Sequence, residues 1–302
     1  MMKSKPSLRN SIKPALLFSL LISIFLCGCG KNIEPTYKEA DIPSLVQKMC
    51  KSEYSLDVTT QRTTTTLWIY APLQKLLHKD FGTDAEKIFD EEISDKLRNI
   101  LTAIGRVLIS SDNTPEFFIL VSSDIKIGFD YIMIGNVLDV KKTYAGFIPW
   151  TESNKRYVLK FNVNPDAIGD MDGKHLKIYD ITLPDFLASQ ISQRINIYFQ
   201  NEQYKKYFKI EKVEGKFDGS SLAAEKSGNH SGDGDFTFNY SISQISKPPR
   251  EINIKKEILR IIAYCFKTYE FNDFSNVGLN DLSEPKNSVS LSKEAILAVS
   301  VD

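Results

Sequence analysis

The sequence predicts an α+β fold: antiparallel sheets with amphipathic helices packed on one face. Residues 93–108 place Ile93, Leu97, Ile100, Leu101, Ile104 and Leu108 on one helical stripe, with Glu92, Asp95, Lys96 and Arg98 mostly elsewhere. Several shorter stretches alternate apolar and polar residues with the period of a strand. Hairpin, helix and strand succeed one another over residues 54–124 and again over 208–281, so the prediction extends to two similar β-β-α-β modules. Leu97, Ile100, Leu101 and Ile104 align with Ile258, Ile261, Ile262 and Cys265 without a gap, although any two amphipathic helices can be aligned this way.

Composition sets the outer bounds. The 302 residues are 42% hydrophobic and 25% charged, which suits a chain with a sizeable core and excludes a disordered, collagen-like or polytopic one. Basic and acidic residues balance at 38 each with no long basic block, so no nucleic-acid partner is expected. Three histidines and four cysteines leave little material for a zinc cluster or a disulfide scaffold, and no cofactor is expected.

The charges are unevenly placed. Residues 1–28 hold Lys3, Lys5, Arg9 and Lys13 and no acid, with an apolar stretch over residues 15–26. A bilayer core needs about 20 apolar residues, so this shorter run reads as the middle of a signal peptide. Leu26-Cys27-Gly28-Cys29 then resembles the lipobox of bacterial lipoproteins. That resemblance implies Leu26 as the apolar recognition position for signal peptidase II, Cys27 and Gly28 as the small ones, and Cys29 as the residue that receives lipid (diacylglyceryl, then palmitate-type acylation of the new amine). Cys27 cannot be the acceptor, because Phe25 and Leu26 would then fill the small positions. Two or three acyl chains give durable attachment. Gly30, where lipoproteins retained at an inner membrane carry Asp in some bacteria, favours the outer membrane in an organism that has two. Without residues 1–28 the chain keeps 34 bases against 38 acids, a net charge of about −4, so lipid rather than overall charge is expected to hold it at a membrane.

Residues 29–40 read as a polar tether, residues 41–200 as one α+β domain, and residues 201–302 as a second module. Asp41 is placed to cap a helix with Ile42, Leu45, Val46, Met49 and Cys50 at helical spacing. Residues 54–73 read as a hairpin in which six threonines face solvent, and residues 117–121 after Pro115 as a central strand. Residues 124–142 are ambiguous and lean towards helix. Residues 157–163 and 175–181 alternate well and read as an antiparallel pair. Thr182 and Asp185 resemble a capping box that opens a helix through Phe186, Leu187, Ile191, Ile195 and Tyr198. Residues 208–217 and 236–243 are the next strands, and the Gly/Ser/Asp-rich residues 218–235 between them read as a flexible loop. A helix over residues 253–269 comes next, and residues 288–301 have strand character.

Candidate chemistry is sparse. Once Cys29 is acylated, Cys50 and Cys265 remain, either bridged in an oxidising compartment or buried as free thiols on helical stripes. Asp166, Asp170, Asp172 and Gly173 resemble part of a calcium loop, but Ile168 and Tyr179 fall where ligands are needed; a turn explains the same residues. His78, His175 and His230 are scattered, and no hydrolase, nucleotide or zinc-protease motif occurs. Trp68 and Trp150 could form a sugar-stacking surface or belong to the core. No catalytic, cofactor or metal residue is assigned.

The expected protein is therefore lipid-anchored in the cell envelope, with a non-catalytic α+β portion that binds a protein partner or supports envelope assembly. The competing expectation is a tethered hydrolase acting on peptide or glycan. It requires a cleft that gathers His175 with two carboxylates and a Ser or Thr. A solute-binding lipoprotein, with two lobes and a deep cleft between them, ranks third.

Overall fold

The apolar run after Pro115 forms the middle of a five-stranded sheet. The computed structural model describes residues 36–78, 88–219 and 234–300, and residues 37–302 cluster as one compact unit. Strands β1 (Thr59–Arg62), β2 (Thr66–Leu73), β3 (Phe117–Asp124), β4 (Phe129–Asn136) and β5 (Val158–Val163) lie side by side in chain order. Only β2 and β3 run parallel, because the helix α2 (Glu91–Ile109) crosses between them; the other neighbours are antiparallel. Helix α1 (Ile42–Tyr54) precedes this sheet, and two short helices, α3 (Val137–Tyr144) and α4 (Trp150–Ser153), connect β4 to β5.

The second half repeats the order. Helix α5 (Leu183–Gln200) leads into β6 (Phe208–Asp218) and β7 (Gly234–Gln244); α6 (Ile254–Thr268) crosses to β8 (Phe274–Asp281), parallel to β7, and β9 (Val289–Ser292) closes the sheet before α7 (Lys293–Leu297). Both halves thus run helix, hairpin, crossover helix, strand, strand, and the first carries β5 in addition. The aligned stripes of α2 and α6 face equivalent cores. Leu97, Ile100 and Ile104 pack with Ile69 and Phe118, and Ile258, Ile261, Ile262 and Cys265 pack with Phe236 and Leu279. Each such buried side chain contributes about 1.5 to 3 kcal/mol. No helix among the described residues is long and apolar enough to cross a membrane.

The other face of the first sheet buries Trp68, Tyr70, Phe117, Ile119, Ile134 and Val158 under Ile181 and Phe186, with Leu176, Ile178 and Tyr269 packed beside them. This cover corrects one expectation. Residues 175–181 form no strand but a strap across the sheet: the Trp68 indole donates to the Tyr179 carbonyl at 2.9 Å, and the Thr66 hydroxyl accepts from the Ile181 N–H at 2.9 Å. Their alternation reflects side chains pressed on a sheet face, and β5 pairs with β4 instead. Residues 124–142 hold β4 before α3 rather than one helix, and both faces of β4 bear apolar cover, which erases the polar alternation that marks a half-exposed strand.

Smaller corrections have similar causes. Asp41 closes a preceding 3-10 turn (Glu39–Asp41) with helical backbone angles, so its side chain makes no cap. The end of the expected tether is already fastened, since the Tyr37 N–H donates to the Ser110 carbonyl at 3.0 Å. Helix α5 packs on the second sheet through Leu187, Ile191, Ile195 and Phe199 and on the first through Phe186. Of the expected 288–301 stretch, the described residues give β9 and then α7, not strand throughout. The Thr182 cap stands: its hydroxyl accepts from the Asp185 N–H at 3.4 Å and donates to the Asp185 carboxylate at 2.6 Å. Residues 1–28 and most of the 218–235 segment lie outside the described residues.

A polar network joins the two layers. The Arg156 guanidinium reaches Asp139 at 2.7 Å and Glu152 at 3.3 Å, and Arg194 of α5 holds the same Glu152 oxygen at 2.7 Å. The Tyr269 hydroxyl donates to Asp139, and the Gln190 amide donates to that hydroxyl at 2.8 Å and to the Arg156 carbonyl at 2.7 Å. Burial works against the Arg156 charge, yet Asp139 and Glu152 keep it firmly protonated. Breaking a buried pair strands the surviving charge. Asp139→Ala is expected to cost about 3 to 5 kcal/mol in urea unfolding, whereas Asp57→Ala, which opens the exposed Lys51–Asp57 pair, should cost under about 1 kcal/mol.

Candidate functional site

The first sheet ends in an edge strand whose apolar side chains face water. Phe161 is 41% and Val163 79% exposed, Leu159 is exposed on the same face, and only Val158 is buried. Phe161 leans on Tyr131 of β4 with ring centroids 5.3 Å apart, so the strand itself is well seated. On its outer side, Gln193 of α5 occupies the first backbone groups: its amide oxygen accepts from the Leu159 N–H at 2.7 Å, and its amide nitrogen donates to the Tyr157 carbonyl at 2.6 Å. A side-chain amide thus stands in for one residue of a neighbouring strand. Because strand geometry repeats every two residues, the N–H groups of Phe161 and Val163 and the carbonyls of Leu159 and Phe161 point the same way. No strand pairs with them among the described residues.

A groove of about 400 Å³ continues from this edge towards β6, the edge of the second sheet. Val158, Leu159 and Lys160 line one side, Glu214, Gly215 and Lys216 the other, and Ser189, Ser192, Gln193 and Asn196 of α5 are also among its lining residues. Glu214 is engaged by Lys212 at 2.9 Å, while Lys160 and Lys216 enter no salt bridge among the described residues. The groove therefore offers backbone donors and acceptors, an apolar strip and two cations, of which Lys160 also feels the Asp185 carboxylate. Sequence periodicity finds β5 but gives no sign of its edge position, and nothing in the local sequence marks Gln193.

The structure does bring His175 together with two carboxylates and a serine. The His175 Nδ1 lies 2.6 Å from Asp170, and its Nε2 faces Asp130 at 3.5 Å without closing a hydrogen bond. The Ser123 hydroxyl donates to Asp130, which also accepts from Asn164 at 2.8 Å. The imidazole is 2% exposed and Ser123 is fully buried. A serine nucleophile must pass its proton to the imidazole; here the carboxylate of Asp130 takes that position. The cluster instead fastens the strap. Asp170 accepts from the N–H groups of Asp172, Gly173 and His175, each at 3.0 Å, and its carbonyl accepts from the Tyr70 hydroxyl at 2.5 Å. Gly173 sits at φ +77° with the Tyr70 ring where a Cβ would go, 2.9 Å away, so this turn needs glycine. Of the aspartates that resemble a calcium loop, Asp170 is thus a turn-former and Asp172 pairs with Lys174 at 3.0 Å, and no group of three or more His, Cys, Asp or Glu among the described residues is arranged for a metal ion.

The remaining candidates are dispersed. His78 pairs with Asp90 at 3.2 Å, far along the chain from the strap, and His230 and Cys29 lie outside the described residues, as do Leu26, Cys27 and Gly28. Cys50 and Cys265 are not bridged. Each is a buried free thiol in a different core, and burial pushes them up to about 11 and about 12, away from the reactive thiolate. Trp68 belongs to the core, whereas Trp150 is exposed. An open cavity of about 370 Å³ lies between α5 and α6, lined by Arg194, Tyr198, Arg260 and Tyr264 among others. No family model matches the chain, and neither a curated protein nor a solved structure matches it.

Burial opposes the Asp170 charge, but the hydrogen bonds from His175, Asp172 and Gly173 outweigh it and hold this carboxyl down at about 2. A depressed carboxylate stabilises the fold fully above its unfolded value of about 3.9 and loses that contribution as pH falls towards 2. Asp170→Asn should therefore melt earlier than wild type at pH 7, with the gap closing between about pH 4 and 2. A constant gap in thermal melts across that window would contradict this role.

Proposed function

We propose that the chain is a lipid-anchored protein of the cell envelope whose non-catalytic α+β domain binds a protein partner by accepting an extended segment of it along β5. One observation carries the reading: an edge strand with Phe161 and Val163 exposed and with backbone groups beyond Gln193 that no strand among the described residues pairs. Strand addition draws affinity from main-chain hydrogen bonds and specificity from alternate side chains. The partner segment should therefore be extended, apolar at alternate positions on the Phe161 side, and acidic where it meets Lys160 and Lys216. Anchoring at Cys29, after removal of residues 1–28, would hold the domain at a membrane facing the periplasm or exterior, at the outer membrane in an organism with two.

A tethered hydrolase is the second reading, favoured by the meeting of His175, Asp130, Asp170 and Ser123. The direction of the Ser123 hydroxyl and its burial argue against it. Ser123→Ala that abolished a hydrolytic activity on envelope peptides or glycans, while leaving the melt unchanged, would restore it.

Two measurements test the proposal. Intact mass of the membrane-fraction protein should show loss of residues 1–28 and acyl mass on Cys29; a soluble, unmodified product ends the lipoprotein reading. A photocrosslinker at Lys160 in cells should mark a segment of one partner, and a peptide of that segment should slow exchange of the Phe161 and Val163 amides. Val163→Pro removes one outward N–H without touching the β4 ladder and should weaken that peptide about tenfold. Unchanged affinity and exchange would remove strand addition as the mode of binding.

A further inference from the structure

Residues 143–151 (TYAGFIPWT) carry no charge, yet most of them face solvent. Phe147, in the α3–α4 connection, is 80% exposed, and Trp150 is 58% exposed; Tyr144, Pro149 and, on α3, Leu138 are exposed as well. The patch is held in shape. Tyr144 and Trp150 meet edge to face with centroids 5.4 Å apart, and the Tyr144 ring rests on Gly105 of α2, where a Cβ would come within 2.7 Å of it. Ile148, between them, is buried and pins the loop from below. Lys142 and Lys155, both exposed, flank the uncharged stretch. Exposed aromatic side chains grouped in this way and rimmed by polar residues mark an interaction surface.

We infer that this loop inserts into the surface of the bilayer that carries the lipid anchor. Trp and Tyr favour the headgroup level, Phe147 would reach the acyl boundary, and the flanking lysines would meet lipid phosphates. The reach of the chain selects this occupant. From Cys29 to Tyr37 there are eight residues, a span of at most about 28 Å. Tyr37 is fixed to the end of α2, its N–H donating to Ser110 at 3.0 Å and its carbonyl accepting from Asp112 at 3.1 Å. Gly105, beneath Tyr144, lies only about 8 Å back along that helix. An anchor at Cys29 therefore holds this end of the domain within about 28 Å of the membrane. Only that reach rests on the proposed lipid anchor.

The two tryptophans make it measurable, because Trp68 is 6% exposed and Trp150 is not shielded. The protein as made by the cell is purified from membranes and reconstituted into vesicles of phosphatidylethanolamine and phosphatidylglycerol brominated near the top of the acyl chains. Trp150 emission should be quenched, Trp150→Phe should abolish the quenching, and Phe147→Glu should reduce it several-fold without shifting the melt. Protein that sediments with the vesicles while its Trp150 emission is unaffected overturns the inference. So does a Trp150 shift that tracks protein concentration without lipid, which would assign the patch to a second copy. Mass of the same sample reads acylation separately, so quenching of an unacylated product would keep the loop in the bilayer and remove the lipid anchor.

Discussion

The arrangement of the two sheets depends on the Arg156 guanidinium. It is a buried cation between Asp139 and Glu152, and Glu152 in turn holds Arg194 of α5. Desolvating such a group is costly, and geometry of this quality is needed to offset it. The ion pairs of the guanidinium come from α3 and α4, and the second layer joins through the groups around it: Gln190 of α5 donates to the Arg156 carbonyl, and Tyr269 after α6 donates to Asp139. Phe117, Phe186 and Tyr269 then seal the neighbouring apolar surface, with Phe186 centroids 5.3 and 5.9 Å from the other two rings. Gln193 lies one turn from Gln190 on α5, and Gln190 belongs to this network. The network thereby decides how much of β5 stays open.

Helices are largely legible from spacing. The stripes of α2 and α6 and the Thr182 cap of α5 are local properties, and local patterns report them faithfully. The hairpins and the central β3 are legible for the same reason. Strand β4 is not, because both of its faces are covered and alternation disappears. The strap reads as a strand because Leu176 and Ile178 meet a sheet face two residues apart without joining a ladder. The candidate site is harder still. Being an edge is a property of which strands pair, and the outward backbone groups of Phe161 and Val163 have no sequence signature. The meeting of His175 with Asp130 and Ser123 likewise depends on tertiary placement of three distant segments.

The shared order of helix, hairpin, crossover and two strands makes the halves comparable element by element. They diverge after the fourth strand. The second half ends in the short α7, while the first continues through α3, the exposed aromatic loop, α4 and β5 before the strap. The surfaces of interest are thus concentrated in the segment that the second half lacks. Strand direction also separates them. The chain enters β5 at Val158, near the aromatic loop, and leaves at Val163, near the His175 cluster, so the two features lie towards opposite ends of the first sheet.

Gln193 also bears on solubility. An apolar edge strand is a template on which further chains can add, and stacked sheets grow from segments of six or seven residues. Here the amide of Gln193 takes the Tyr157 and Leu159 groups, Lys160 interrupts the strand with a charge, and Asn164 succeeds Val163 and turns back to Gly128. The remaining stretch can seat a short strand but is too brief to seed a fibril. The chain can therefore keep this apolar edge exposed without becoming a nucleus for its own aggregation.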